Sequence, residues 1–231
     1  WGPSEQGTGA MDFAKQRYNM VESQVRTNRV VDERVLAAME TLPREIFVPK
    51  HRRALAYADE AVEIAPGRFL MEPMVVARLV QAAAVRSSDA VLLIGCGTGY
   101  LAAVLARLAS AVVAVANDAA LAAEAGRTLA AVGVDTVALV DGAFADGYPR
   151  QAPYDVIVVD GAVEDIPQSL VAQLADGGRL AAIVAGAGPS AHRAGKGVVV
   201  TRVGDAFARR DVFDGGTPVL PGLERKPAFV F

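Results

Sequence analysis

The sequence predicts an α/β fold: a mostly parallel sheet covered by helices on both faces, preceded by a helical N-terminal lobe. Three observations carry this. Short valine-rich apolar runs at 90–94, 111–115, 136–140, 156–159 and 180–184 have the length and β-branched content of strands. Between them lie alanine-rich stretches of helical length, 101–108, 119–132 and 167–174. Strand, helix, strand repeated at that spacing makes right-handed crossovers between parallel neighbours. The strand runs are continuously apolar rather than alternating, as burial on both faces demands.

Taken in order, residues 1–10 (WGPSEQGTGA) read as a cloning remnant, with Met11 the expected natural start. From there to Arg53, Val21, Val25, Val30, Val35, Leu36, Met39 and Leu42 recur at helical spacing, and Val31-Asp32 opens a second helix. This stretch holds nine basic residues against six acidic ones. Either a solvated helix face or an attraction for an acidic substrate accounts for that excess. After the turn at Pro66-Gly67, residues 73–85 read as a helix leading into the alternation. The tail reads as three short strands, 197–203, 208–213 and 228–231, separated by Asp214-Gly215-Gly216 and the turn-rich Pro218 to Pro221. The expectation is a single domain over 11–231, with a helical lobe at 11–72, a ligand-binding core at 73–185 and antiparallel strands at 186–231.

Composition narrows the function classes. Hydrophobic residues make up 52% of the 231 and charged residues 21%, which excludes a disordered chain. Roughly a fifth of the chain is alanine and only 6% is aromatic, so much of the apolar count is small side chains. With 23 basic against 26 acidic residues, the net charge of −3 gives no global field to draw nucleic acid or an anionic membrane. Cys96 is the only cysteine, which excludes an internal disulfide and suits a reducing, cytoplasmic compartment. His51 and His192 lie far apart without ligand spacing, so no metal site is expected. No uncharged apolar run reaches the roughly 18 residues of a membrane span; Asp118, Asp141 and Asp160 interrupt the longest stretches.

The sharpest local feature is Val91-Leu92-Leu93-Ile94-Gly95-Cys96-Gly97-Thr98-Gly99-Tyr100, a strand running straight into a glycine loop and then a helix. Glycines there allow a tight turn and close approach of a ligand to the backbone. The spacing is G-x-G-x-G. A dinucleotide fingerprint would need its third glycine at Tyr100, and no P-loop lysine follows. Either a plain strand-to-helix turn or a ligand loop fits; the pattern resembles the first motif of the S-adenosylmethionine-dependent methyltransferases.

The resemblance extends along the chain. Ala38-Met39, Pro43-Arg44, Phe47-Val48-Pro49, Ala56-Tyr57, Asp59, Pro73, the glycine loop and Ala103 to Ala106 are similar, in order, to the protein-L-isoaspartate O-methyltransferase family. So are Asp141-Gly142, Gly147-Tyr148-Pro149, Ala152 to Ile157, Ile166-Pro167, Gln173-Leu174 and Gly177 to Leu180. The resemblance implies a doubly wound, Rossmann-like methyltransferase sheet of seven strands. It implies S-adenosylmethionine held over the carboxyl ends of the first strands by Gly95, Cys96, Gly97, Thr98, Gly99, Asp141 and Gly142. The acceptor would be the side-chain carboxylate of an isomerised aspartate in a damaged protein or peptide, a protein-repair activity. No nucleic acid or membrane partner is expected, and the oligomeric state is left open.

Three positions depart from the family pattern. The serine that touches the reacting carboxylate is replaced by Met71 in the substrate-side segment Met71-Glu72-Pro73. The acidic residue usual at the third position of the glycine motif is Leu93. The acid that accepts both ribose hydroxyls falls, by its distance from Leu121, on Ala116. Losing that acid would weaken cofactor binding about tenfold to more than a hundredfold per hydrogen bond. Asn117 or Asp118 could substitute, although Asp118 serves equally as the cap of the helix from Ala119; Asp146 is a further candidate for the adenine end. Asp160 ends the fourth strand where the family usually has threonine. It would favour a sulfonium yet repel a carboxylate acceptor, could act as general base toward a neutral acceptor, or could cap the turn before Ala162. The readings left open are isoaspartyl methylation, methylation of another acceptor, and a binding module without catalysis.

Overall fold

The structure is a computed structural model, and it describes residues 11–187 and 194–225. The N-terminal lobe opens with α1 (Phe13–Met20), continues through a π-helical and a 3-10 turn, and adds α2 (Glu33–Thr41). Asp32 starts α2 as its sequence suggests, its carboxylate accepting from Arg34 N–H at 2.9 Å. Residues 62–70, within the expected helical lobe, instead form a hairpin of β1 (Val62–Ala65) and β2 (Arg68–Leu70) about the Pro66-Gly67 turn. Pro73 then occupies the first turn of α3 (Pro73–Ala83), where its missing N–H costs nothing.

The main sheet contains β3 (Ala90–Ile94), β4 (Ala111–Ala116), β5 (Val137–Asp141), β6 (Tyr154–Val163), β7 (Leu174–Ala185), β8 (Gly195–Val203) and β9 (Ala206–Asp214). They lie in the order β5-β4-β3-β6-β7-β8-β9, the first five parallel and the last two antiparallel. The chain builds outward from β3 through β4 to β5, then returns to lay β6 on the other side of β3. That reversal leaves a crevice between the carboxyl ends of β3 and β6, the general ligand position of open α/β sheets.

Successive strand residues face opposite sides, so Val91 and Leu93 join one core while Leu92 and Ile94 join the other. The first core packs α3, α4 (Tyr100–Ala106), α5 (Ala119–Ala131) and the N-terminal lobe against the sheet. The second is closed by Phe144, Leu170, Leu174 and the C-terminal residues Leu220 and Leu223. Its helix α6 spans only Gln168–Val171 rather than the expected 167–174. Gln173 ends it: its side-chain amide donates to the carbonyls of Ser169 and Asp146, each at 2.8 Å, and Leu174 then pairs with Tyr154 as the start of β7. The expected strand at 228–231 lies outside the described residues, as does His192. Among the described residues no helix is long and apolar enough to cross a membrane.

Candidate functional site

The glycine loop sits at the carboxyl end of β3. Gly95, Gly97 and Gly99 have φ of +83°, +52° and +99°, the left-handed region where a side chain is strained. A β-carbon on Gly97 would lie 3.0 Å from Ile64 Cδ1 of the hairpin and 3.7 Å from Asp160 Oδ2, so the loop runs directly beneath that acid. Thr98 does not face a ligand with its side chain. Its hydroxyl donates to the Phe47 carbonyl at 2.6 Å, and its own carbonyl accepts from Thr128 Oγ1 at 2.5 Å, which clamps the loop between the lobe and α5. Cys96 is buried, and burial, reinforced by Asp160, pushes its thiol up to about 12. It is therefore protonated at neutral pH and no nucleophile.

Beside the loop, the ends of β4 and β5 frame a cavity of about 310 Å³ lined by Ala116, Asp118, Ala119, Ala122, Leu139, Val140 and Asp141. Ala116 and Asp141 are register partners, and Gly142 N–H donates to the Ala116 carbonyl at 3.0 Å, which sets the acid of Asp141 at the cavity edge. Asp118 both lines this cavity and caps α5, its Oδ1 accepting from Leu121 N–H at 2.9 Å. Asn117 accepts instead from Arg68 Nη1 at 3.4 Å. Asp146 is exposed in a 3-10 turn and does not line the cavity. Leu93 is wholly buried in the sheet core.

Asp160 is placed by an irregularity. Between the pairs Val158–Ala181 and Ala162–Ile183, β6 spends two extra residues, and this bulge swings Asp160 and Gly161 out of the ladder. Asp160 as a residue is 8% exposed, and its Oδ1 is buried with no hydrogen-bond partner. Burial raises its pKa to about 7 even though Arg68 and Arg44 pull the other way. The sequence assigns neither arginine a role in the site, Arg44 entering only within the Pro43-Arg44 match. Arg68, in β2, reaches across the crevice with its guanidinium 5.3 Å from the Phe144 ring centroid. Arg44 is fully buried, donates to the carbonyls of Ala56 (2.6 Å) and Met71 (2.7 Å), and lies over the Tyr100 ring. Met71, Glu72 and Pro73 thus stand where the hairpin hands over to α3, with Met71 buried against the Asp160 pocket. Among the described residues no cluster of three or more His, Cys, Asp or Glu could hold a metal ion.

A family model described as protein-L-isoaspartate(D-aspartate) O-methyltransferase matches residues 15–195. The chain belongs to that family. A protein-L-isoaspartate O-methyltransferase of Methanoculleus marisnigri is 46% identical over 170 residues, 74% of this chain and 77% of the relative. One from Rhodopseudomonas palustris is 44% identical over 184 residues, covering 80% and 75%. Among solved structures, a protein-L-isoaspartate O-methyltransferase superposes with a TM-score of 0.73 at 22% identity, over 91% of this chain and 66% of that one. A Plasmodium falciparum structure of the same description, solved with S-adenosyl-L-homocysteine, gives 0.72 at 15% identity, over 89% and 98%. At those identities the structures speak to the fold, which is the family's Rossmann-like methyltransferase sheet.

Proposed function

We propose that this chain is an S-adenosylmethionine-dependent methyltransferase acting on side-chain carboxylates of isoaspartyl residues in proteins. One observation carries the reading: the glycine loop, the acid-edged cavity at Asp141 and the buried Asp160 pocket converge at one sheet end of a chain in this family. The cavity fits the adenosyl part, because its alanine, leucine and valine walls suit a flat base and Asp141 can accept from an exocyclic amine. When bound, the cofactor supplies a methyl group on a sulfonium, an electrophile.

The acceptor carboxylate, with an ordinary pKa of about 3.9, is ionised at neutral pH, so no general base is required. The chain's contribution is to hold the acceptor in line and exclude water. Arg68 and Arg44 draw a negative group toward the pocket, and Asp160 in its neutral form donates a hydrogen bond to it. Once ionised, Asp160 repels it. The single buried cysteine supports a reducing, cytoplasmic setting.

The test is calorimetric titration with S-adenosylmethionine and S-adenosylhomocysteine, followed by transfer assays on paired isoaspartyl and aspartyl peptides. Binding with transfer to the isoaspartyl peptide alone is expected; absence of heat at millimolar ligand sinks the proposal. A second reading rests on Asp160 itself. A buried, unpartnered carboxyl titrating near 7 has the properties of a general base toward a neutral hydroxyl or amine. The pH profile separates the two: kcat/KM falls as pH rises through about 7 for a carboxylate acceptor and rises for a neutral one.

A further inference from the structure

Residues 217–223 return from β9 to the carboxyl end of β6 and lie along it as a strap. Ala162 N–H donates to the Pro218 carbonyl at 3.0 Å, Leu220 N–H to the Ala162 carbonyl at 2.8 Å, and Glu164 N–H to the Leu223 carbonyl at 3.2 Å. The strap lies beyond residue 195, where the family match ends. Beneath it is a cavity of about 10 Å³ bordered by Arg68, Met71, Asp160, Gly161, Thr217 and Leu220. That is the room a single oxygen atom needs.

Two polar atoms on this cavity are buried without a hydrogen-bond partner: Asp160 Oδ1 and Thr217 Oγ1. Thr217 is 1% exposed, so its hydroxyl is cut off from bulk solvent and has no protein hydrogen-bond partner. A buried hydroxyl in that state weakens the fold, and valine would fill the same volume without the penalty. Met71, which also lines the cavity, carries no hydroxyl, and its carbonyl is already taken by Arg44.

We propose that Thr217 is an acceptor-binding residue: its hydroxyl, delivered by the strap, hydrogen-bonds the reacting side-chain carboxylate beside Asp160. The inference rests on the isoaspartyl reading above. The cavity is the size of one acceptor oxygen, and the hydroxyl left unsatisfied by the fold is satisfied by the substrate.

The experiment compares wild type with Thr217→Val and Thr217→Ser. An isoaspartyl peptide is titrated into each protein saturated with S-adenosylhomocysteine, and KM and kcat are measured on the same peptide. Thr217→Val should bind S-adenosylhomocysteine as wild type does and melt no lower, while its peptide Kd and KM rise about tenfold, the loss of one hydrogen bond to a charged group. Thr217→Ser should stay close to wild type. Should the valine variant fold poorly, Thr217→Ser against Thr217→Ala makes the same comparison, hydroxyl kept against hydroxyl removed. Unchanged peptide affinity in Thr217→Val overturns this inference alone. A wild type that binds S-adenosylhomocysteine and no isoaspartyl peptide overturns the acceptor reading together with it. A lower melting temperature with weakened S-adenosylhomocysteine binding overturns it too, by making Thr217 structural.

Discussion

Leu220 seals Gly95: its Cδ2 lies 2.7 Å from where a β-carbon on that glycine would sit, and its β-carbon lies 3.0 Å from the corresponding point on Gly161. The strap and the first turn of the glycine loop are thus fitted to each other without room for one added methyl.

Gly95→Ala therefore meets two penalties, a φ of +83° that costs about 1–2 kcal/mol for an L-residue and the collision with Leu220. Urea denaturation should show the Gly95→Ala, Leu220→Ala double variant less destabilised than the two single changes added together, because truncating Leu220 removes the collision. Strict additivity would mean that the strap does not rest on the loop.

Asp160 sets a pH dependence of stability. Its folded pKa of about 7 stands above the ordinary 3.8, so between those values the folded protein holds a proton that the unfolded chain has released. The stabilisation present at pH 4 is lost as pH rises through about 7, by up to about 4 kcal/mol on a shift of roughly three units. Arg68 and Arg44 are the charged groups that oppose the shift. Asp160→Asn stays neutral throughout. It should come closest to wild type near pH 4, melt increasingly higher as pH rises toward 7, and keep the full margin at pH 8; equal melting temperatures at pH 8 would show the carboxyl to be solvated.

Arg44 ties the lobe to the wall of the Asp160 pocket through two carbonyls, those of Ala56 and Met71. Replacing it with Met leaves both buried acceptors unpaired, at about 1–3 kcal/mol each. Arg44→Lys keeps the charge but replaces the planar fork, whose two nitrogens each hold one carbonyl, with a single ammonium, so both variants should lower the denaturation midpoint. A midpoint held by Lys would assign the effect to charge rather than to the fork.

What the sequence made legible and what it hid divide along a physical line. β3 is readable to the residue because an unbroken apolar run ends at Gly95, and α5 because alanine propensity and the Asp118 cap act within a few positions. Asp160 stands out as an acid after an apolar run, although β6 does not end there as the sequence suggests and continues past the bulge to Val163. The β1–β2 hairpin escapes because Glu63 and Arg68 break its apolar pattern, leaving only the Pro66-Gly67 turn as a sign. Thr217 and Leu220 escape more completely: nothing local in Thr-Pro-Val-Leu-Pro-Gly marks a return to Gly161 and Ala162, more than fifty residues upstream. The same holds for Arg44, whose partners become neighbours only when the lobe closes on the hairpin. Local signals mark the glycine loop and the Asp141 edge, and long-range packing assembles the Asp160 pocket.

Asp118 and Asp141 line the same cavity, but the hydrogen bonds divide their roles. Asp118 Oδ1 already accepts from Leu121 N–H as the cap of α5, so Asp118→Ala should lower stability by about 1 kcal/mol while Asp118→Asn, a competent cap, retains most of it. Asp141 is exposed at the end of β5, so Asp141→Ala should leave stability within about 0.5 kcal/mol of wild type. The affinities should run the other way: Asp141→Ala weakens S-adenosylhomocysteine binding about tenfold or more by removing a charged acceptor, whereas Asp118→Asn leaves it near wild type. Calorimetry and thermal melts on the three variants check both halves. If Asp118→Asn loses affinity while keeping its melting temperature, the cap is also a ligand group, and Asp118 takes the place of the ribose-binding acid that Ala116 cannot supply.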